Sequence, residues 1–448
     1  MTTEPRYVAA IEISSSKIIC AVGRYTPDGS GQLTVDAVEQ EEIREIVKYG
    51  IIQNLEETAM RVRRIIDKIQ RRPGIAPRKV TGVFVGLSGR SLRSIETTVR
   101  IPLPDDTEIT EEIISRLRSD ALNSAIDSSL EVVDAVPRTY TVGKLDTATP
   151  IGAIGNEISV TYDIIVCRPE MKRNLQRTLE DKAGLKVEGF VVTPLATGHL
   201  VLSGEEKRLG CMLVDMGAET TTVSIYKGGA LRYLVTLPMG GRNITRDLTD
   251  LSLLEEKAEE IKRTSNAIAP ENPSTLNVNG VRMADVSNYV VARSEEIAAN
   301  IVAQMEYSGI RQNDLPGGIV CIGGGARLNG MAELLNQQSK LNVRIGHVPD
   351  YIHSVNGAPV PADALEVACD LYEGATLSNA QCLAIPEAEE LPATGEANQR
   401  ELPPADDVKP TKPKGSSPLS NFLGKWRNKM AGMFSNPENE DSEYDSLD

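Results

Sequence analysis

Three short stretches gather acids, hydroxyls and glycines in the pattern that a phosphate chain and its cation require. Residues 7–25 read as an apolar strand ending near Glu12, a turn Ser14-Ser15-Ser16-Lys17 and a second strand. The turn offers backbone N–H groups, three hydroxyls and one ammonium to phosphate oxygens, and Glu12 suits a hydrated cation. Residues 213–226 repeat the layout, with Asp215 closing a strand, then Gly217, Thr220 and Thr221, then another strand. Gly217 permits close backbone approach, and the threonine hydroxyls can bond phosphate. Residues 317–328 carry a buried strand into Gly323-Gly324-Gly325, ahead of Arg327 and a helix around 330–335. Missing side chains there leave room for a base or an α-phosphate, and a helix N-terminus favours anions. On the helix predicted at 258–263, Glu259 and Lys262 share a face beside Arg263, which suits a ribose and adenine. Each stretch alone also reads as an ordinary turn, strand or solvated helix. Their order and spacing carry the reading.

The elements that position them follow from periodicity. Short β-rich runs alternate with helical patterns from 7 to 385, which predicts an α/β protein. The two acid hairpins lie about 200 residues apart and share one layout, so the core reads as duplicated, one hairpin from each half. Residues 85–169 form their own unit, with a helix predicted at 110–125 and strands at 130–142 and 157–167. The predicted organisation is a first half from 1–84 and 170–195, the inserted unit 85–169, and a second half 196–385.

After 385 the composition changes. Residues 386–418 hold seven acids, four bases and seven prolines, too polar for a packed core, and read as a disordered linker. In 419–434, Leu419, Phe422, Leu423, Trp426, Met430, Met433 and Phe434 fall within an arc of roughly 120° on a helix. Lys425 and Lys429 flank that face on one side and Arg427 on the other, the distribution of a helix lying in anionic headgroups; a helix docked on the protein's own core has the same stripe. Residues 435–448 carry six acids and no base.

The totals exclude other classes. A formal net charge of −15 over 448 residues argues against a nucleic-acid binder. Six scattered cysteines, four of them inside apolar runs, and three histidines predict buried free thiols and no zinc site. No run approaches a membrane span and the start lacks a signal-peptide pattern, so a cytoplasmic body is expected.

This arrangement resembles the actin, chaperone-ATPase and sugar-kinase superfamily, and within it the FtsA family of bacterial cell-division proteins. The resemblance spans about 7–434. It rests on residues 14–17, Val136-Pro137, Pro150-Ile151-Gly152, residues 184–187, 215–221, 228–231, 318–330 and 343–346, and the terminal helix. It implies an actin-like (ribonuclease H-like) duplicated two-domain fold with the family's inserted subdomain, and binding of ATP and Mg²⁺ with slow or no hydrolysis. It also implies filaments, recruitment of later division proteins, and tethering of the tubulin-like protein FtsZ to the cytoplasmic membrane face at the division site. The FtsZ tail is then expected near residues 290–305, with Arg293 as its cation. Glu12 and Ser14 stand where the family has Asp and Gly, which bears on cation geometry and hydrolysis more than on binding. A small-molecule kinase of the superfamily and a pilus-assembly ATPase-like protein are the alternatives.

Overall fold

The computed structural model describes residues 5–27, 31–124, 126–264 and 280–386. The membrane-facing residues expected at Phe422, Leu423, Lys425, Trp426, Lys429, Met430 and Phe434 lie outside that set, as does the acidic tail.

Two sheets share one strand pattern. In the first half, Leu33–Glu42, Lys17–Tyr25 and Arg6–Ile13 run antiparallel, then Gly82–Leu87 and Lys186–Val192 continue in parallel. In the second half, Ala230–Leu237, Thr221–Lys227 and Cys211–Met216 run antiparallel, then Ile319–Ile322 and Val343–Ile345 in parallel. The duplication read from two hairpins extends to whole sheets, and the fold is actin-like.

Period-2 alternation divides the central strands of the second sheet between two cores. Met212, Val214 and Met216 join the second half's core with Ile319 and Cys321, while Leu213, Val320 and Ile322 join the core of the first half. Helix Leu55–Gln70 shows the helical counterpart. Asn54 caps it by accepting from Glu57 N at 3.0 Å, and Val62, Ile65, Ile66 and Ile69 are buried in the first core, each contributing about 1.5–3 kcal/mol before entropy.

The inserted unit is an antiparallel sheet of Leu145–Thr147, Glu131–Val142, Ile154–Cys167 and Arg93–Glu108 covered by helix Glu111–Leu122, with its own core. The 16-residue strand Arg93–Glu108 has no counterpart in the sequence reading. It joins the second sheet at Val235 opposite Arg93.

One boundary departs from expectation. Residues up to 385 were given to the second half, yet helix Leu365–Leu377 packs on strands Arg6–Ile13, Lys17–Tyr25 and Gly82–Leu87 of the first. Its buried Val367, Ala368, Leu371 and Ala375 belong to the first core, and Gly374 lies so close to Phe84 that a Cβ there would come within 2.4 Å of the ring. All six cysteines are buried and unpaired. Among the described residues no helix is long and apolar enough to cross a membrane.

Candidate functional site

The two hairpin turns meet at a cleft of about 470 Å³ between the halves. Glu12, Ser14, Ser15, Ser16 and Lys17 line it from the first half, and Asp215, Gly217 and Thr220 from the second. Glu259, Lys262 and Arg263 enter from helix Glu255–Thr264, and Gly323, Gly324, Gly325 and Arg327 from the third turn. Thr221 is the exception. Strand alternation turns it inward, fully buried, with its hydroxyl donating to Met239 O at 2.9 Å.

Local geometry explains the turns. Ser14 donates from both N and Oγ to Lys17 O at 3.0 Å, closing the first turn. Gly217 N bonds Thr220 O at 2.9 Å to close the second. Gly323 has φ +85°, and a Cβ there would sit 2.5 Å from Asp215 Oδ1, so only glycine fits beside the acid. A Cβ on Gly324 would meet nothing within 4 Å; that position faces open space.

The floor is a cluster of acids. Glu12 and Glu366 are buried, and Glu12 Oε2 has no hydrogen-bond partner. Burial, reinforced by Glu366 and opposed by Lys17, pushes Glu12 up to about 7 from 4.5. Burial followed by Glu366 and Glu12 raises Asp215 well above the usual carboxylate range. Glu366 and Asp370 on the terminal helix are raised as well, chiefly by burial. Desolvated carboxylates sharing one field favour a bound cation. Among the described residues no three acids or histidines converge as a direct metal cage, so the cluster fits Mg²⁺ held through water and phosphate oxygens rather than by protein alone.

This cluster sets a pH dependence. Because the value of Glu12 is higher in the folded chain, its stabilisation is complete below pH 4.5 and is lost as pH rises towards 7, at roughly 1.4 kcal/mol per unit. Glu206 is held down at about 2, chiefly by its hydrogen bond to Arg344, and so is Glu259, where Lys262, Thr245 and Arg263 outweigh burial. Their contributions are lost only below pH 4.5, outside this window. The melting temperature of nucleotide-free protein should therefore fall between pH 5 and 7.5. Glu12→Gln should melt above wild type at pH 7.5 and converge with it at pH 5. A flat wild-type profile would contradict the assignment.

The comparisons with known proteins bear on this geometry. The family model for cell division protein FtsA matches residues 212–360, and that for the SHS2 domain inserted in FtsA matches 89–166. Cell division protein FtsA of Porphyromonas gingivalis is 30% identical over 356 residues, 76% of this chain and 73% of that one. This chain belongs to the FtsA family. FtsA of Streptococcus pneumoniae is likewise 30% identical, over 78% of this chain and 76% of its own. Among solved structures, a chain of the PilM–PilN type IV pilus biogenesis complex superposes with TM-score 0.57 at 17% identity, over 82% of this chain and 98% of that chain, a likeness of fold alone. The FtsA assignment displaces the kinase and pilus readings.

Several residues of this FtsA-family cleft escaped the sequence reading. Glu366 lines the cleft, with the buried Asp370 one turn further along the same largely apolar helix, and acids four apart in such a setting were a usable signal. Glu219 was passed over inside its own motif. It is 2% exposed and accepts from Arg242 at 3.1 Å, Arg246 at 3.0 Å and, across the cleft, Tyr49 N at 2.8 Å. Arg242 also donates to Ser15 O at 3.0 Å. These bonds clamp the two halves together at the two hairpin turns. Lys262 bonds Glu259 at 2.6 Å, Gly241 O at 2.9 Å and Thr245 at 2.9 Å, while Arg263 bridges Glu259 at 2.7 Å and Glu42 of the first half at 3.4 Å. The expected free cation Arg293 is instead engaged. Its guanidinium grips Asp247 at 2.6 and 3.1 Å and also bonds Glu296, tying helix Met283–Tyr307 to helix Gly241–Leu248.

Proposed function

We propose that this FtsA-family protein binds Mg-ATP between its halves and works as a filament-forming adaptor. In this reading it holds the acidic tail of FtsZ at the cytoplasmic face of the cell membrane, through residues 419–434, and helps recruit later division proteins. The observation that carries nucleotide binding is the convergence of two equivalent hairpin turns and a glycine turn on one cleft. Ser14 to Ser16, Lys17, Gly217 and Thr220 would receive the phosphates, Glu12 and Asp215 would orient the cation's waters, and Glu259, Lys262 and Arg263 would hold the nucleoside beside the glycines. The cation supplies charge neutralisation among the phosphates. We place the FtsZ tail on the second half, a reading that family membership supports. With Arg293 already paired, that surface must offer other contacts or open the Asp247 pair.

Two measurements test the proposal. Calorimetric titration should show one Mg-ATP site per chain, and a null titration would remove the nucleotide role. Vesicle co-sedimentation tests the tether. Half-burying one large side chain contributes about 1 kcal/mol and an added acid opposes anionic lipid, so Trp426→Glu should lower vesicle affinity roughly tenfold or more. Wild type should bind more tightly under polymerising conditions, because linked copies raise the effective concentration of each further helix. Equal pelleting of variant and wild type would reject the tether.

A further inference from the structure

Eight of the 19 residues from 61 to 79 are Lys or Arg and one is an acid, in a chain of net charge −15. Some of these cations are held internally. Arg61 pairs with Glu41 at 2.9 Å and Glu57 at 2.8 Å, and Arg72 Nε bonds Glu39 at 2.9 Å. Arg78 lies over the Tyr7 ring at 4.2 Å. Lys68, Arg71 and Lys79 are exposed, with no side-chain partner among the described residues. A structural explanation covers part of this, since cations at the end of helix Leu55–Gln70 favour its dipole. It does not reach Lys79, on the short strand Lys79–Val80.

That strand marks where the chain leaves the body. Lys79–Val80 pairs antiparallel with Leu383–Ala384, placing Ala384 directly opposite Lys79. The approach to this point is anchored by Arg6, which donates to Ala375 O at 2.8 Å and Ser378 O at 2.7 Å. On the same segment Leu377 and Ile385 are 72% and 61% exposed. Free cations beside exposed aliphatic side chains match the chemistry of a headgroup layer, which takes charge and apolar surface together.

We propose that this cationic shoulder, Lys68, Arg71 and Lys79, is a second membrane contact that lies against anionic headgroups when residues 419–434 are bound. The inference rests on the proposed tether. Thirty-two residues separate the described body from residue 419, a length of chain sufficient for shoulder and tether to meet one surface. The acidic residues 435–448 are the competing occupant. They supply six acids but only Tyr444 and Leu447 as large apolar side chains, too little to cover Leu377 and Ile385 in a charged tail, so the observations favour lipid.

The test uses the full chain with Lys68→Gln, Arg71→Gln and Lys79→Gln together, on vesicles of phosphatidylcholine with or without phosphatidylglycerol. Affinity for the anionic vesicles should fall roughly tenfold or more at low salt, with a shallower salt dependence. Affinity for neutral vesicles should match wild type, and the melting temperature should fall only slightly, by the dipole contribution of Lys68 and Arg71. Lys79→Gln alone, which lies outside the helix, should give a smaller loss of the same kind. If wild type pellets, Trp426→Glu does not, and the triple variant binds as wild type, the shoulder is overturned and the tether stands. Tighter anionic binding by the triple variant would assign the patch to the acidic tail and also overturn it. If wild type pellets with neither vesicle, tether and shoulder fall together.

Discussion

Asp215→Ala should weaken Mg-ATP binding by roughly ten- to a hundredfold while leaving the nucleotide-free protein at least as stable as wild type. Two opposite effects meet at this residue. Without ligand, Asp215 sits in the repulsive field of Glu366 and Glu12, which with desolvation raises its pKa, so removing it relieves unfavourable charge. With a phosphate-bound cation present, the same carboxylate becomes a charge-assisted partner, and such contacts contribute about 1.5–3 kcal/mol. Loss of that range produces the predicted change in affinity. Strand Cys211–Met216 keeps its pairing, because register is held by backbone bonds to Thr221–Lys227 and Ile319–Ile322. Calorimetry and thermal melting on one preparation separate the effects. Unchanged ATP affinity, or a marked drop in melting temperature, would sink the assignment.

The second large effect is on stability. Glu219→Ala removes the acceptor of two guanidinium groups and of Tyr49 N. Arg242 is only 13% exposed, so its charge would be left buried with Ser15 O as its remaining partner. Breaking a buried pair from one side costs about 3–5 kcal/mol, far more than the pair's net worth against apolar substitutes. A fall in melting temperature of roughly 5–10 °C is expected. Glu219→Gln should lose less, since an amide oxygen still accepts from Tyr49. Adding Arg242→Met to Glu219→Ala should recover part of the loss, because only the half-exposed Arg246 is then left without its acceptor. A double variant as unstable as the summed singles would mean that Glu219 acts on its surroundings and not through Arg242.

Most of the cleft was legible because its turns are local. An acid, small residues and hydroxyls within ten positions announce the chemistry, and every predicted cleft residue except Thr221 lines the same space. Thr221 was misread because its neighbour determines the alternation: Thr222 faces the cleft, so Thr221 must face the core. What escaped is non-local. Glu366 reaches the floor on a helix about 350 residues from Glu12, and no periodicity relates two positions so far apart. The strand Arg93–Glu108 was lost for a different reason. Its burial alternates weakly and it carries two prolines and several exposed charges, so its extended form is fixed by pairing with Ile154–Cys167 and not by propensity.

The placement of helix Leu365–Leu377 also governs the order in which the molecule can be built. The five sheet strands of the second half and the helices between them lie within about 135 contiguous residues, from Cys211 to Ile345, so that body can close as soon as its own stretch emerges from the ribosome. The first sheet is different. Its opening strands are synthesised at once but wait for residues 365–384 to cover them and complete the acid cluster. Nascent chains stopped near residue 360 should thus contain a protease-resistant second half beside a first half that is still cleaved, and nucleotide binding should begin only when synthesis has passed helix Leu365–Leu377.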